Sequence, residues 1–225
     1  MYELPGGGCL GVLVLKFIPG LNVAVSVPVW ADPEAAWTPV DLHSLAAFAD
    51  PAVIVQLNAS DLASLPIGTA SESEVAEVGD ALAAVLGLAD PAFLEDPPRP
   101  PAAPTGMRPL PGWAEVRGWR IEGVDGGLKP WVIVSCDVAN RRFDHQASAG
   151  HVPSIRQAVR LTDQPNVRPR DEFPELDAGG RAACAQVVTI RSSRLGDRPE
   201  AAPPALGPTD MRRIADGVMT ALDFA

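Results

Sequence analysis

The sequence predicts a mainly β fold with terminal helices, of the α+β class, arranged as two tandem lobes. Both halves carry short segments rich in Val, Ile and Leu that are bounded by turn-forming residues, which is typical of strands. Each half then ends in a segment whose apolar residues recur every three or four positions, which indicates an amphipathic helix. A proline-rich stretch separates the halves. With 225 residues, 47% of them hydrophobic, the chain is long enough for one large core or two small ones.

The predicted strands come before the helix in both halves. In the first half they are 10–17, 22–30 and 52–57, and in the second half they are 118–123, 131–136, 157–161 and 183–188. Turns are predicted at Asp125-Gly126-Gly127 and at 165–169, where Gly and Pro interrupt the apolar pattern.

The two predicted helices share one pattern of apolar residues. Ser71 and Glu74 form a capping box at the start of the first helix, which stops at Gly87. Thr209 is predicted to cap the second helix, which runs to about Leu222. The apolar positions are 136 residues apart throughout, namely Val75, Val78, Leu82, Val85 and Leu86 against Met211, Ile214, Val218, Ala221 and Leu222.

Similar amphipathic helices are common by chance, so a second match is needed to indicate a repeat. Residues 54–65 lie 130 positions before residues 184–195, and the difference of six from the helix offset fits an insertion at 198–203. A strand and a helix matching in the same order favour a tandem duplication.

The stretch 96–104 is predicted to be a semi-rigid extended linker, because proline fixes φ and cannot join a helix or an inner strand. The predicted organisation is a first lobe at 1–95, a linker at 96–111 and a second lobe at 112–225. A long surface loop within a single domain is the alternative, and the sequence leaves it open.

Charge is divided unevenly along the chain. Residues 1–104 hold thirteen acidic and two basic side chains, a net charge of −11, whereas residues 105–225 have a net charge of +1. A nucleic-acid backbone would be repelled by the first half. Any nucleic-acid site is therefore expected in the second half.

Composition and motifs disfavour several classes of protein. Three scattered cysteines, Cys9, Cys136 and Cys184, argue against a disulfide framework and for a reducing cytosol. The longest apolar run, 10–15, is far short of a membrane span, so we expect a cytoplasmic protein with no membrane partner. Neither a zinc-type Cys/His spacing nor a Gly-x-Ser-x-Gly elbow occurs, and we expect no metal and no cofactor.

Two segments of the second half carry a family resemblance. Residues 128–140, which include Leu128-Lys129-Pro130, and residues 186–195 followed by a helix ending near Phe224, resemble the MazF/PemK family of toxin endoribonucleases. The resemblance implies a small SH3-like barrel with a helix, the fold that MazF and CcdB toxins share. The first half looks like a degenerate copy, so the two lobes together would form an intramolecular pseudo-dimer.

The resemblance also implies a chemistry, which is cleavage of single-stranded RNA without metal. The ribose 2′-OH attacks the adjacent phosphorus, and the products are a cyclic phosphate and a 5′-OH. The family's catalytic Arg falls on Lys129 and its phosphate-positioning Thr on Thr162. By base rate, however, Lys129 is a solvated turn lysine and Thr162 a capping or turn residue, and both alternatives stay open.

This chain departs from the family pattern in three places. Lys129 replaces an Arg, so it keeps the charge but loses the planar fork that holds two phosphate oxygens. Val188 stands where another Arg is common, and Val124-Asp125 where a Glu-Gln pair is common. In the first half Trp30 stands near the position of Thr162, which indicates a lobe without catalytic residues.

Further basic residues are candidates for binding RNA. Arg141, Arg142 and His145 are predicted to lie in a flexible loop, where they would suit phosphate contacts, and Arg160 lies two residues before Thr162. A solvated surface explains the loop residues equally simply.

Two functions remain open. The first is a MazF/PemK-type toxin endoribonuclease, a growth inhibitor held in check by a cognate antitoxin peptide. The second is a non-catalytic relative that binds RNA, an antitoxin or a partner, with the acidic first lobe covering the basic groove. The resemblance also allows two chains to associate further as a homodimer.

Overall fold

The computed structural model describes residues 9–18, 22–62, 66, 68–88, 112–120, 128–148, 153–162 and 174–224. The predicted linker and the predicted turns at 125–127 and 165–169 lie outside these residues. The described strands are β1 (Cys9–Ile18), β2 (Val23–Trp30), β3 (Val40–Leu42), β4 (Ala47–Ala49), β5 (Val55–Asn58), β6 (Val116–Trp119), β7 (Lys129–Ile133), β8 (Ile155–Thr162) and β9 (Arg181–Arg191). The helices are α1 (Glu72–Val85), α2 (Asp137–Ser148) and α3 (Pro208–Ala221).

The strands form two antiparallel sheets, one in each half of the chain. The N-terminal sheet has the order β1-β2-β4-β3, and β5 also pairs with β2. The C-terminal sheet has the order β6-β7-β8-β9. The mainly β prediction is confirmed. The two closed barrels are not: the described strands form open sheets, because no described pairing joins β9 to β6 or β3 to β1.

The helix predictions are confirmed with one correction. Ser71 caps α1, its side chain accepts the N–H of Glu74, and the Glu74 carboxylate accepts the N–H of Ser71, so the capping box is present. The cap of α3 is Gly207 rather than the predicted Thr209, which lies inside the helix. Pro208 at the first helical position explains the earlier start, because its fixed φ suits a helix and its missing N–H costs nothing there.

The two halves use equivalent elements at constant spacing. Strands β2 and β8 are both eight residues long and lie 132 positions apart, while α1 and α3 are both fourteen residues long and lie 136 apart. Strand pairing matches as well. Trp30 of β2 pairs with Phe48 of β4, and Thr162, at the corresponding position of β8, pairs with Arg181 of β9. This pairing relates β4 and β5 to β9 by 133 positions.

The predicted strand offset of 130 is therefore wrong by three residues. In both sheets the central strand pairs with the outer strand segments in two separate stretches. Between these stretches the outer side has three more residues than the central strand, and the outer residues concerned are 50–54 and 184–187. These extra residues are mostly apolar and buried like their neighbours, so hydrophobic pattern alone does not fix the register.

A buried carboxylate ties each helix to the turn before the sheet. Glu74 accepts the backbone N–H of Ser44 at 2.8 Å, and Asp210, which lies 136 positions later, accepts the N–H groups of Asp177 and Ala178 at 2.8 and 3.2 Å. Hydrogen bonds from the hydroxyl and N–H of Ser44, with those from Ser71, lower the pKa of Glu74 to about 2.

Residues of both halves share the hydrophobic core. The largest cluster places Val25, Ile54 and Leu82 of the first half among residues of β7, β8, β9 and α3. A second cluster packs Trp37 against Phe143 of α2. The two sheets are therefore separate ladders that share one packed core.

The sheets also contact each other through a reciprocal set of hydrogen bonds. One polar side chain on β5 reaches two backbone groups of β9, and one on β9 reaches two backbone groups just before β5. The contacts are Gln56 Nε2 donating to the oxygens of Ala185 (3.1 Å) and Val187 (3.3 Å), and Thr189 Oγ1 donating to the oxygen of Ala52 (3.3 Å) and accepting the N–H of Ile54 (2.7 Å).

The same offset of 133 residues relates both sides of this contact. It carries Gln56 onto Thr189, and it carries the two backbone partners of Thr189, Ala52 and Ile54, onto Ala185 and Val187. Each half thus presents the same patch to the other. Self-complementary patches of this kind are typical of isologous interfaces, in which residue i contacts residue j and residue j contacts residue i.

Candidate functional site

Lys129 and Thr162 lie on neighbouring strands at the same end of the C-terminal sheet. Lys129 begins β7 and Thr162 ends β8. Trp131 pairs with Arg160, so continuing the antiparallel ladder by two residues places Lys129 opposite Thr162. Residues opposite each other in such a ladder share a face, with Cβ atoms about 4.5–5.5 Å apart. The register therefore brings together the two residues that the sequence singled out.

Arginines surround this pair on the same face of the sheet. Arg181 pairs with Thr162, and Arg160 lies one pleat along β8. Arg117 on β6 pairs with Trp131. We call Arg117, Lys129, Arg160, Thr162 and Arg181 the basic face. The opposite face, which includes Val132 and Leu161, packs in the main core with α3, as the alternation of side chains along a strand requires.

Three arginines of the basic face hold buried N–H groups without a hydrogen-bond partner in the described part of the chain. These are Nε of Arg117, Nε of Arg160 and Nη1 of Arg181. Arg117 also pairs through Nη2 with Glu115. Between described residues, no ion pair joins Lys129, Arg160 or Arg181 to a carboxylate. Guanidinium and ammonium donors in this arrangement suit an oxyanion such as a phosphate.

Two tryptophans form the apolar part of the same face. The rings of Trp119 and Trp131 have centroids 5.0 Å apart and planes inclined at 66°, an edge-to-face contact. Trp131 is only 2% exposed and packs with Ile133, Ala158 and Ile190, whereas Trp119 is half-buried. The cations therefore sit beside a fixed aromatic cluster.

The other predicted RNA-binding residues lie elsewhere. Arg141, Arg142 and His145 belong to helix α2, so the predicted flexible loop is wrong. The helix forms because Ala139 and Phe143, four residues apart, bury one face in the core. Their role in binding RNA stays a prediction.

Helix α2 lies at the far end of the sheet from Lys129. Asp144 of α2 binds Arg156 near the start of β8, with both carboxylate oxygens 2.9 Å from guanidinium nitrogens. Thr162 is six residues further along that strand, or roughly 20 Å at the usual rise per residue. The structure therefore groups Lys129, Thr162 and Arg160 and separates them from the cations of α2.

Sequence reasoning missed Arg117, Arg181 and Trp119. Their positions on the face depend on strand pairing between residues distant in sequence. Alternation along β9 was the available signal, because Arg181 precedes the buried Ala182 and therefore points the other way.

The equivalent positions of the N-terminal sheet are apolar. Strand pairing relates Thr162 to Trp30 and Arg181 to Phe48, and it relates Arg160 to Pro28, whose oxygen accepts the N–H of Asp50. In the β1–β2 ladder Trp30 pairs with Cys9, and Leu10 lies at the register shift next to it, so an uncharged residue stands opposite Trp30. The prediction that Trp30 occupies the position of Thr162 agrees with this register.

Asp50 is a buried carboxylate in the first half, close to the contact between the sheets. It is fully buried and accepts N–H bonds from Trp37 (2.9 Å), Thr38 (3.1 Å) and Ala52 (3.2 Å). Burial raises the pKa of Asp50 to about 6, against the lowering effect of these bonds and of nearby Arg142.

Neither a metal-binding cluster nor a helix able to cross a membrane occurs among the described residues. No group of three or more His, Cys, Asp or Glu side chains among them is arranged to hold a metal ion. No helix among them is long and apolar enough to cross a membrane.

Comparison with known proteins finds similarity among solved structures. No family model matches the sequence, and no curated protein matches it. An endoribonuclease from a mycobacterial species in complex with its cognate antitoxin is 24% identical, with a TM-score of 0.38 over 51% of this chain and 97% of that chain. An endoribonuclease structure from a mycobacterial species gives 24% identity and a TM-score of 0.39 over 51% and 93%.

A MazE–MazF complex from Deinococcus radiodurans is 12% identical, with a TM-score of 0.37 over 52% of this chain and 100% of that chain. The similar solved structures thus include MazF endoribonuclease toxins and MazE–MazF complexes, and each match covers about half of this chain.

Proposed function

We propose that the chain is an endoribonuclease that cleaves single-stranded RNA without a metal ion, with the reaction centred on Lys129 and Thr162. The observation that carries the proposal is that Lys129 begins β7 and Thr162 ends β8, so that both lie at the same end of two paired antiparallel strands. The MazF/PemK resemblance assigns the catalytic roles to the same two residues. Arg160 and Arg181 add positive charge on the same face.

The proposed reaction needs only groups of the RNA and of this face. The O2′–P bond forms, the P–O5′ bond breaks, and the 2′-OH proton passes to solvent. Lys129 stabilises the negative charge that builds on the phosphate oxygens and gives a proton to the departing O5′. The hydroxyl of Thr162 and the N–H groups of Arg160 position the phosphate.

We further propose that residues 1–95 and 112–225 are two lobes of a duplicated unit, joined by the linker 96–111. The reciprocal contacts of Gln56 and Thr189 support an origin as a symmetric dimer, because a fused dimer would keep an isologous interface. The constant spacing of the equivalent helices supports it as well. A peptide antitoxin that covers the basic face is the proposed partner in the cytoplasm.

The alternative is a non-catalytic member that binds RNA or an antitoxin. The specific observation in its favour is Lys129 itself, since an ammonium group cannot hold two phosphate oxygens in the planar geometry of a guanidinium. The acidic first half would cover the groove in this version. Against that covering, no ion pair between described residues joins a first-half carboxylate to the basic face.

One set of variants tests the function. Purified wild type, Lys129→Ala, Lys129→Arg and Leu10→Ala are incubated with long single-stranded RNA and a chelator, and 5′-hydroxyl ends are mapped. Removing the charge that faces the transition state should lower the cleavage rate about 10²- to 10³-fold, and Lys129→Arg should keep most of it. Leu10→Ala is the control, because it truncates an exposed side chain of β1 in the first half.

The outcomes separate the two functions. Equal cleavage by the wild type and Lys129→Ala would remove Lys129 from the mechanism. Binding of RNA by the wild type without any fragments would favour the non-catalytic member.

A further inference from the structure

We propose that the indole of Trp119 stacks on a nucleobase next to the phosphate held by Lys129 and Thr162, so that the end of β6 is a base-binding subsite. The inference rests on the function proposed above, and it adds the part of the nucleotide that the cations cannot recognise. Its basis is the position of Trp119, its fixed orientation and the charges around it.

The position of Trp119 is set by strand pairing. It is the last residue of β6 and pairs directly with Lys129 on β7. Thr162 ends the next strand at the same end of the sheet. Trp119 and Lys129 are therefore cross-strand neighbours, with about 5 Å between their Cβ atoms, and Thr162 lies on the strand next to Lys129. A phosphate at Lys129 and Thr162 lies one strand away from the indole.

The orientation of Trp119 is fixed by its neighbours. The ring meets the buried Trp131 edge to face at 5.0 Å and 66°. Trp119 remains half-buried, so part of its surface is open to solvent, whereas Trp131 is fully covered. A ring that is already held in place loses little conformational entropy when a base stacks on it.

The backbone beneath Trp119 is also held. Gly118 donates its N–H to the oxygen of Asp197 at 3.1 Å, and its own oxygen accepts the N–H of Gly196 at 2.8 Å. A Cβ at position 118 would come within 2.3 Å of the Asp197 oxygen, so only glycine allows this approach. The end of β6 is therefore clamped between β7 and the segment after β9.

Charge and aromaticity together point to single-stranded nucleic acid as the ligand. Single-strand binders combine cations that follow the backbone with aromatic rings on which bases stack. Here Lys129, Arg117 and Arg181 lie on the same face as the partly open indole. Stacking accepts any base, so Trp119 is expected to contribute affinity with little sequence preference.

The test uses a short fluorescent 2′-O-methyl RNA, which lacks the attacking hydroxyl and so is not cleaved. Binding is measured for the wild type, Trp119→Ala, Trp119→Phe and the control Trp113→Ala. Trp113 is exposed, and its backbone N–H donates to Asp137 at the start of α2, near the opposite end of the sheet. Trp119→Ala should weaken binding about tenfold. The RNA affinity of Trp119→Phe should stay within about threefold of the wild-type affinity. Trp113→Ala should bind RNA as tightly as the wild type.

A scan with abasic nucleotides requires no folding of a variant. Removing one base at a time from the oligonucleotide should weaken binding to the wild type most strongly at a single position. The same abasic site should have little further effect in Trp119→Ala.

Three results would overturn the inference. One is wild-type affinity in Trp119→Ala, another is a flat abasic scan, and the third is an abasic penalty that persists in full in that variant. If the wild type cleaves RNA under any of these results, the proposed function stands and only the stacking fails. If the wild type neither binds nor cleaves RNA, both proposals fail.

Discussion

The two sheets share a register but differ on their outer faces. At equivalent positions the C-terminal sheet carries Arg160, Thr162 and Arg181, and the N-terminal sheet carries Pro28, Trp30 and Phe48. Each polar or charged residue of the first set stands where the other sheet has an apolar one. The comparison teaches that the scaffold alone does not make a site, because the site depends on side chains that the scaffold positions equally well in both halves.

The difference extends to net charge. The first half has a net charge of −11, so its potential repels a polyanion, while the second half is close to neutral and places Arg117, Lys129, Arg160 and Arg181 on one face. Under the proposed duplication, one functional face is enough for the whole chain. In the first half Trp30 is part of the buried interior, at 1% exposure.

The largest expected effect concerns pH and the first half alone. Asp50 has a pKa of about 6 when folded and an ordinary value of 3.8 when unfolded, so the folded state binds its proton more tightly. This tighter proton binding stabilises the folded state fully below about pH 4, and the stabilisation is lost as the pH rises through 6. The loss is of the order of 3 kcal/mol, from 1.36 kcal/mol per pKa unit.

Urea unfolding between pH 4 and 7 checks this prediction. Asp50→Asn should lack the pH-dependent loss, whereas the control Asp80→Asn, an exposed helix residue, should keep it. The equivalent of Asp50 in the other half is Ala183, which has no proton to bind. The same pH slope in the wild type and Asp50→Asn would assign the sensitivity to other groups.

The next effect concerns the reciprocal interface. Thr189→Val keeps the shape of the side chain but leaves the buried N–H of Ile54 without its 2.7 Å acceptor, which should cost about 2 kcal/mol of unfolding free energy. Gln56→Ala, at the equivalent position, should cost less because Gln56 is half-buried and it leaves under-satisfied carbonyl oxygens, which proteins tolerate better than an orphaned buried N–H. Denaturant unfolding of both variants measures how much unfolding free energy each loses. A larger loss for Gln56→Ala than for Thr189→Val would contradict the prediction.

The smallest effect concerns individual charges on the basic face. Arg160→Ala should weaken RNA binding equally for all sequences and lower the slope of log affinity against log salt by about one, as expected for one lost phosphate contact. Arg212→Ala, an exposed arginine of α3, should leave the slope unchanged. Salt titrations of the 2′-O-methyl RNA complex give both slopes. An unchanged slope in Arg160→Ala would show that the RNA lies elsewhere.

Local patterns were enough to predict much of the fold. The Ser71 capping box and the apolar spacing of the helices predicted α1 and α3, and period-two or continuous apolar runs located β1, β2, β8 and β9 to within a few residues. These features depend on neighbours in sequence, so one chain contains the information.

The missed elements depend on contacts between distant residues. Strands β3 and β4 have three residues each, too few for a pattern. Helix α2 is mostly polar and buries only Ala139, Asn140 and Phe143, and the core it packs against comes partly from the other half. Likewise, Lys129 and Thr162 were found by motif, but Arg117, Arg181 and Trp119 joined them only through strand pairing.

Photo-cross-linking of RNA to the whole chain tests the central claim most directly. A 2′-O-methyl RNA containing 4-thiouridine is bound to the wild-type protein and irradiated, and mass spectrometry identifies the attached peptides. The account predicts cross-links in the peptides that carry Trp119, Lys129 and Thr162, and none at Leu10, Trp30 or Phe48. Cross-links concentrated on the N-terminal sheet, or spread equally over the equivalent positions of both sheets, would contradict it.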